Sequence, residues 1–96
     1  MSLQNLIDSN SVLVLSKKTC KYCVIAKDAL KNAGIDFTEV QIDERLELLA
    51  EAINLTGQKT VPNIWINQMH IGGSDKLITW LASTKLTAPL KLDTDF

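Results

Sequence analysis

The feature that most constrains this chain is the placement of its only two cysteines, Cys20-Lys21-Tyr22-Cys23. They fall where a strand pattern gives way to a helix pattern. Val12-Leu13-Val14-Leu15 is a continuous, β-branched apolar run, the pattern of a strand buried on both faces. From Tyr22 to Ala33 the apolar residues Tyr22, Ile25, Ala26, Ala29, Leu30 and Ala33 recur at helical spacing, and Gly34 supplies the stop. A disulfide between Cys20 and Cys23 closes a loop too short to staple a fold, so the pair points to chemistry. At a helix start, unpaired N–H groups and a partial positive charge stabilise a sulfur as thiolate. Such surroundings lower a cysteine pKa from about 8.5 to roughly 3.5–7.5. Cys20, at the helix end, is the expected nucleophile. Cys23, a turn further in and more buried, is placed to resolve a mixed disulfide.

The rest of the chain supplies the frame. Residues 3–9 suit a short leading helix. Phe37 to Ile42 reads as a second strand with Val40 and Ile42 facing one way. Leu46, Leu49, Ala50 and Ile53 mark a further helix, closed by Asn54 and Gly57. Asn63–Ile66 and Met69–Ile71 read as two short strands joined by a tight Asn67-Gln68 turn. After Gly72-Gly73, Ser74 is a good N-cap for a helix carrying Leu77, Ile78 and Leu81 on one face. Residues 84–96 hold Pro89 and scattered polar side chains and read as an irregular tail. A β-α-β unit with a right-handed crossover makes its strands parallel, and the hairpin adds antiparallel strands. The expected architecture is α/β: a thioredoxin-like fold with a four-stranded mixed sheet and helices on both faces. At 96 residues this is one domain, 1–96, large enough to bury a core without staples.

Charge and hydropathy exclude several classes. A formal net charge of −1 does not suit a nucleic-acid binder. No apolar run is long enough to span a bilayer, and the N-terminus has no secretory-signal pattern. A cytoplasmic, monomeric protein in a reducing compartment is the expectation. The charges are nonetheless sorted, with Lys17, Lys18, Lys21, Lys27 and Lys31 in one segment and Glu39, Asp43, Glu44, Glu47 and Glu51 in the next. Two readings stand: solvated helix faces of opposite sign, or a positive field around the cysteines.

Two further stretches carry chemistry. In Thr60-Val61-Pro62 the proline is either a plain strand start or the second residue of a cis peptide. Gly72-Gly73-Ser74-Asp75 at a helix start suits a carboxylate held by backbone N–H groups. Structural zinc is disfavoured, because Cys20, Cys23 and the single histidine, His70, lack a fourth ligand. His70 reads as a surface residue of the hairpin, and no metal is expected.

Ser16-Lys17-x-x-Cys20-x-Tyr22-Cys23, Thr56-Gly57-Gln58-Lys59-Thr60-Val61-Pro62-Asn63 and Gly72-Gly73-Ser74-Asp75 together resemble a glutaredoxin of the dithiol type. The resemblance spans roughly residues 3–83, with the three motifs in family order and spacing. It implies a glutathione-dependent thiol–disulfide oxidoreductase with glutathione as co-substrate. Glutathionylated and disulfide-containing proteins are the implied partners. It further implies that Lys17 and Gln58 hold the glycine carboxylate, and that the Val61 backbone beside Pro62 pairs with the cysteinyl amide. Ser74 and Asp75 would receive the γ-glutamyl end, with Tyr22, Thr60 and Gly73 lining the groove. Two positions depart from the family pattern. Lys21 stands where dithiol members most often have proline, which frees an N–H, adds a charge and favours a more oxidising couple. Lys76 stands where an acidic residue is frequent. Two alternatives remain: a glutathione-ligated [2Fe–2S] dimer, known among glutaredoxins without that proline, and a redoxin recycled by a flavoprotein reductase.

Overall fold

The computed structural model describes residues 2–87, with side chains to residue 83. Four helices and four strands follow one another as α1 Leu3–Ser9, β1 Val12–Ser16, α2 Lys21–Asn32, β2 Thr38–Gln41, α3 Leu46–Thr56, β3 Asn63–Ile66, β4 Met69–Gly72 and α4 Ser74–Thr87. The sheet order is β2-β1-β3-β4. β1 pairs parallel with β2 and antiparallel with β3, and β3 pairs antiparallel with β4. This is the mixed four-stranded sheet expected of a thioredoxin-like fold.

β1 divides the core. Leu13 and Leu15 point to one face, where they pack with Leu3, Leu6 and Ile7 of α1, Leu48 and Ala52 of α3, Ile42 and Trp65. Val12 and Val14 point to the other face, against Ala26 and Leu30 of α2, Leu77 of α4, Ile64 and Ile66. Alternation along one strand thus feeds two cores, which is why its apolar run is unbroken.

The punctuation is local. α2 ends in a Schellman arrangement, with the Ile35 N–H donating to Leu30 O and the Gly34 N–H to Lys31 O, both at 3.0 Å. That turn places Gly34 at φ 72°, a conformation that a glycine adopts freely. Asn67 and Gln68 both have positive φ, as a type I′ hairpin turn requires.

Three expectations need correction. The buried line of α3 is Leu48 and Ala52, while Leu46 is 67% exposed. Apolar residues occupy nearly every face of this helix, so spacing alone left its rotation undetermined. In α4 Leu77 is buried and Leu81 packs against the core as expected, but Ile78 faces out and Trp80 packs there instead. The helix also continues through residues 84–87, which were expected to be irregular. That stretch has no Gly or Pro, and Pro89 is the first residue that bars continuation. Residues 88–96 of the expected tail lie outside the described residues.

Candidate active site

Sheet topology decides where the motifs meet. β3 runs antiparallel to both β1 and β4, so β1 and β4 point the same way and end at the same edge, where β3 begins. The helices that follow β1 and β4 therefore start at that edge, beside the Pro62 entry to β3. One edge collects the Cys-x-x-Cys turn, the Thr-Val-Pro loop and the Gly-Gly helix start.

Cys20 is the N-cap of α2, with extended backbone. Its Sγ accepts a hydrogen bond from the Cys23 N–H at 3.1 Å. The sulfur thus does what a serine or aspartate oxygen does at other helix starts. Cys23 is 1% exposed. The two cysteines are joined as a disulfide, with Cα atoms 5.2 Å apart. Across the edge, Cys20 Sγ lies 3.9 Å from the carbonyl oxygen of Val61. The Val61–Pro62 peptide is cis, the second of the two readings open for that proline.

A cleft of about 490 Å³ runs from this point, lined by Tyr22, Thr60, Val61, Pro62, Gly73, Ser74 and Asp75. These seven are all residues singled out in the sequence for the groove. Its far end is the start of α4. Here the helix begins one residue earlier than expected: the Leu77 N–H donates to Gly73 O at 3.0 Å, which makes Gly73 the N-cap and Ser74 the first helical residue. The N–H groups of Ser74 and Asp75 belong to the first turn, which has no intrahelical acceptors. Gly72 adopts φ 115° to make the bend, with the Lys76 side chain 3.3 Å from where a Cβ would sit.

Lys17 and Gln58 do not line the cleft. Lys17 is exposed on the β1–α2 loop. Gln58 stands behind the wall, where its Nε2 donates to the carbonyls of Thr60 and Pro62, both at 3.0 Å. Its amide braces the loop that carries Val61.

The structure divides the lysines between the two readings of the charge pattern. Lys18 donates its backbone N–H to Asp43 at 3.0 Å and pairs loosely with Glu44, Nζ to Oε2 3.5 Å. Lys27 pairs with Glu39 at 2.9 Å, and the same carboxylate oxygen accepts from Ser16 Oγ at 2.6 Å. Burial pushes the Glu39 carboxyl upward, but the Ser16 hydroxyl and the Lys27 ammonium outweigh it and hold its pKa below the ordinary value. Lys17 and Lys21 make no ion pair among the described residues. Lys21 Nζ sits 5.9 Å from the centre of the Tyr22 ring. Of the five lysines in this segment, these two add open positive charge beside Cys20.

Two polar features were missed in the sequence. Asn63, directly after Pro62, is 1% exposed, and its Oδ1 lies 2.6 Å from His70 Nε2. Its Nδ2 is buried and has no partner. His70 also leans on the Trp65 ring, and burial lowers its pKa. A polar residue opening the four-residue strand Asn63–Ile66 was the available signal. The Ser16–Glu39–Lys27 cluster depends on strand register and left no local signal. Among the described residues no group of three or more His, Cys, Asp or Glu is placed to hold a metal ion, and no helix is long and apolar enough to cross a membrane.

Comparison with known proteins agrees with this geometry. A glutaredoxin from Pseudomonas aeruginosa is 40% identical over 79 residues, covering 82% of this chain and 94% of that protein. A buckwheat glutaredoxin, solved as a complex with glutathione, superposes with a TM-score of 0.81 at 34% identity, covering 86% of this chain and 78% of that one. A dithiolic glutaredoxin from Trypanosoma brucei brucei gives the same TM-score and identity over 90% and 92% of the two chains. The glutaredoxin family model matches residues 12–71. With a Cys-x-x-Cys pair at the helix start where such enzymes exchange disulfides, the chain belongs to the glutaredoxin family of thiol–disulfide oxidoreductases.

Proposed function

We propose that the chain reduces glutathione mixed disulfides and protein disulfides, with glutathione as the electron donor. The observation that carries this is a cleft whose wall includes Val61, with its carbonyl oxygen 3.9 Å from Cys20 Sγ, and whose far end is a helix N-terminus. Glutathione is a short peptide with a thiol in the middle and a carboxylate at either end. In the cleft its sulfur would meet Cys20, its backbone would run beside Val61, and its γ-glutamyl carboxylate would reach the Ser74 and Asp75 amides. Lys17, exposed on the neighbouring loop, is proposed to draw the glycine carboxylate. Gln58 is proposed to assist through the loop it braces, and directly only where its Nε2 turns from the Thr60 or Pro62 carbonyl to donate to the carboxylate. The buckwheat relative with glutathione bound supports the same ligand here.

In the reduced enzyme, the Cys23 N–H and the α2 dipole favour Cys20 as thiolate. That thiolate attacks the glutathione sulfur of a mixed disulfide. A Cys20–glutathione disulfide forms, and the substrate leaves as its thiolate. A second glutathione thiolate attacks the glutathione sulfur of that intermediate, which yields oxidised glutathione and restores Cys20. For a protein disulfide, the Cys20 thiolate attacks one substrate sulfur, the substrate S–S bond breaks, and its other sulfur leaves as thiolate. Cys23, after losing its proton, attacks Cys20 Sγ and expels the substrate as thiolate, leaving the Cys20–Cys23 disulfide. Cys23 is too buried to meet an external disulfide, so it resolves and does not initiate.

Turnover of the mixed disulfide of glutathione and 2-mercaptoethanol tests the reading, coupled to glutathione, glutathione reductase and NADPH. Robust turnover there, with little when thioredoxin reductase is the donor, is the expected result. The opposite preference would overturn it.

A further inference from the structure

The helix end that carries Cys20 has two flanks, and the cleft uses only one. Tyr22 lines the cleft. At about 100° per residue Val24 lies roughly opposite Tyr22, while Ile25, at i+3, lies about 60° round from it on the side of Lys21. Both are exposed, at 51% and 37%, and Tyr22 at 58%. Among the described residues, three of the seven exposed large apolar side chains therefore stand within five positions of Cys20. Lys21 heads this outer flank, exposed and in no ion pair, and Lys17 stands on the adjoining loop. Asp28, the nearest carboxylate along the same helix face, is seven residues on, about 10 Å along the axis.

We propose that this outer flank of α2 is a docking surface for the polypeptide part of the substrate, and that it favours a segment with carboxylates beside the disulfide-bonded cysteine. The inference rests on the glutathione reading above and names the substrate class of that site. With the tripeptide in the cleft, the Tyr22 side of the helix end is taken, and the flank of Lys21, Val24 and Ile25 is left open to the substrate chain. An apolar strip receives its side chains, and the open ammonium of Lys21 attracts an acidic residue while repelling a basic one. Lys27 is committed to Glu39 and Lys18 is drawn toward Glu44, while Lys17 stands on the loop; Lys21 is the open ammonium on the strip's own helix, and we assign the preference to it.

The test uses two glutathionylated peptides of equal length, one with Glu and one with Lys on both sides of the cysteine. The glutathione–mercaptoethanol disulfide serves as reference. At low salt the acidic peptide is expected to show kcat/KM about tenfold above the basic one, with the ratio approaching one near 0.5 M salt. Taking the ratio within each variant cancels any effect of Lys21 on Cys20 itself. Lys21→Gln should reduce the ratio at least about threefold, and Lys21→Glu should invert it. A Val24→Ser, Ile25→Ser double variant should raise KM for both peptides and leave their ratio unchanged. Equal rates with the two peptides, a ratio insensitive to Lys21, or unchanged KM values in the double variant would overturn the proposal. Concentration-dependent dimerisation of the wild type that the double variant abolishes would assign the strip to a second copy and would also overturn it. Absence of glutathione-dependent turnover of the reference disulfide would instead sink the underlying function.

Discussion

The two faces of the sheet are built alike and do different work. Each buries aliphatic side chains from alternate positions of β1 under a pair of helices. On the α2–α4 face both helices begin where the strands before them end, so two sets of unpaired N–H groups meet at one edge. On the α1–α3 face the helices give packing, and neither lines the cleft. Equal burial thus does not mean equal function. The difference lies in which backbone ends the topology exposes together.

The sharpest contrast lies within α2 itself. Cys20→Ser should lower thiol transfer by at least about a thousandfold, since the hydroxyl replaces the only sulfur open to external disulfides. Cys23→Ser should keep deglutathionylation and lose the dithiol reduction of protein disulfides. Rapid alkylation of Cys23 and slow alkylation of Cys20 in the reduced protein would reverse the assigned roles.

Matched core truncations probe the faces directly. Leu48→Ala and Leu77→Ala each remove a fully buried side chain, one per face, and each should cost about 2–5 kcal/mol in urea unfolding. Only Leu77→Ala should also raise KM for the glutathione mixed disulfide, because Leu77 anchors the first turn of α4. An equal KM increase in Leu48→Ala would erase the distinction between the faces.

What could be read from the sequence follows the same division. β1, α2 and the hairpin were legible because their signals are local: an unbroken apolar run, a glycine stop, a two-residue turn. The seven cleft residues were legible because three short motifs carry them, although only strand direction explains their convergence. Helix rotation was not. Leu48 rather than Leu46, and Trp80 rather than Ile78, face the core because the sheet and its neighbours select among several apolar stripes. Asn63 and the Ser16–Glu39–Lys27 cluster were hidden for another reason. Ser16 and Lys27 reach Glu39 from 23 and 12 residues away, through the pairing of β1 with β2 and the packing of α2, and Asn63 meets His70 only through the register of the hairpin.

The bend into α4 offers a milder test. Gly72→Ala places a Cβ at φ 115° and 3.3 Å from the Lys76 stem. The cost should be about 1–3 kcal/mol, with a weaker grip on glutathione because the Gly73–Asp75 wall shifts. Gly57 is the control on the other side of the sheet, at φ 78° with nothing within 4 Å of its would-be Cβ. Gly57→Ala should cost less and leave KM alone. A KM change in Gly57→Ala of the same size would contradict the assignment of the wall.

The smallest expected effect concerns Glu39, which ties β2 to α2 on the functional face. Its carboxylate accepts from Ser16 Oγ and Lys27 Nζ, and both side chains of the Lys27 pair are only about a quarter exposed. Partial burial makes this pair worth more than the exposed Lys18–Glu44 contact, whose removal should be nearly silent. Glu39→Gln should cost about 1 kcal/mol at neutral pH, since Lys27 loses its counter-charge and keeps only a neutral acceptor. The pH dependence fixes the sign. A carboxyl whose folded pKa lies below its unfolded value stabilises the fold fully above the unfolded value. That contribution fades as the pH falls through the folded one. The difference in unfolding free energy between wild type and Glu39→Gln should therefore be constant at neutral pH and shrink below the ordinary carboxyl range. Urea titrations at a series of pH values would measure it. A gap that widens on acidification would mean that Glu39 is destabilised in the folded state, and that the cluster strains the redox face it was expected to brace.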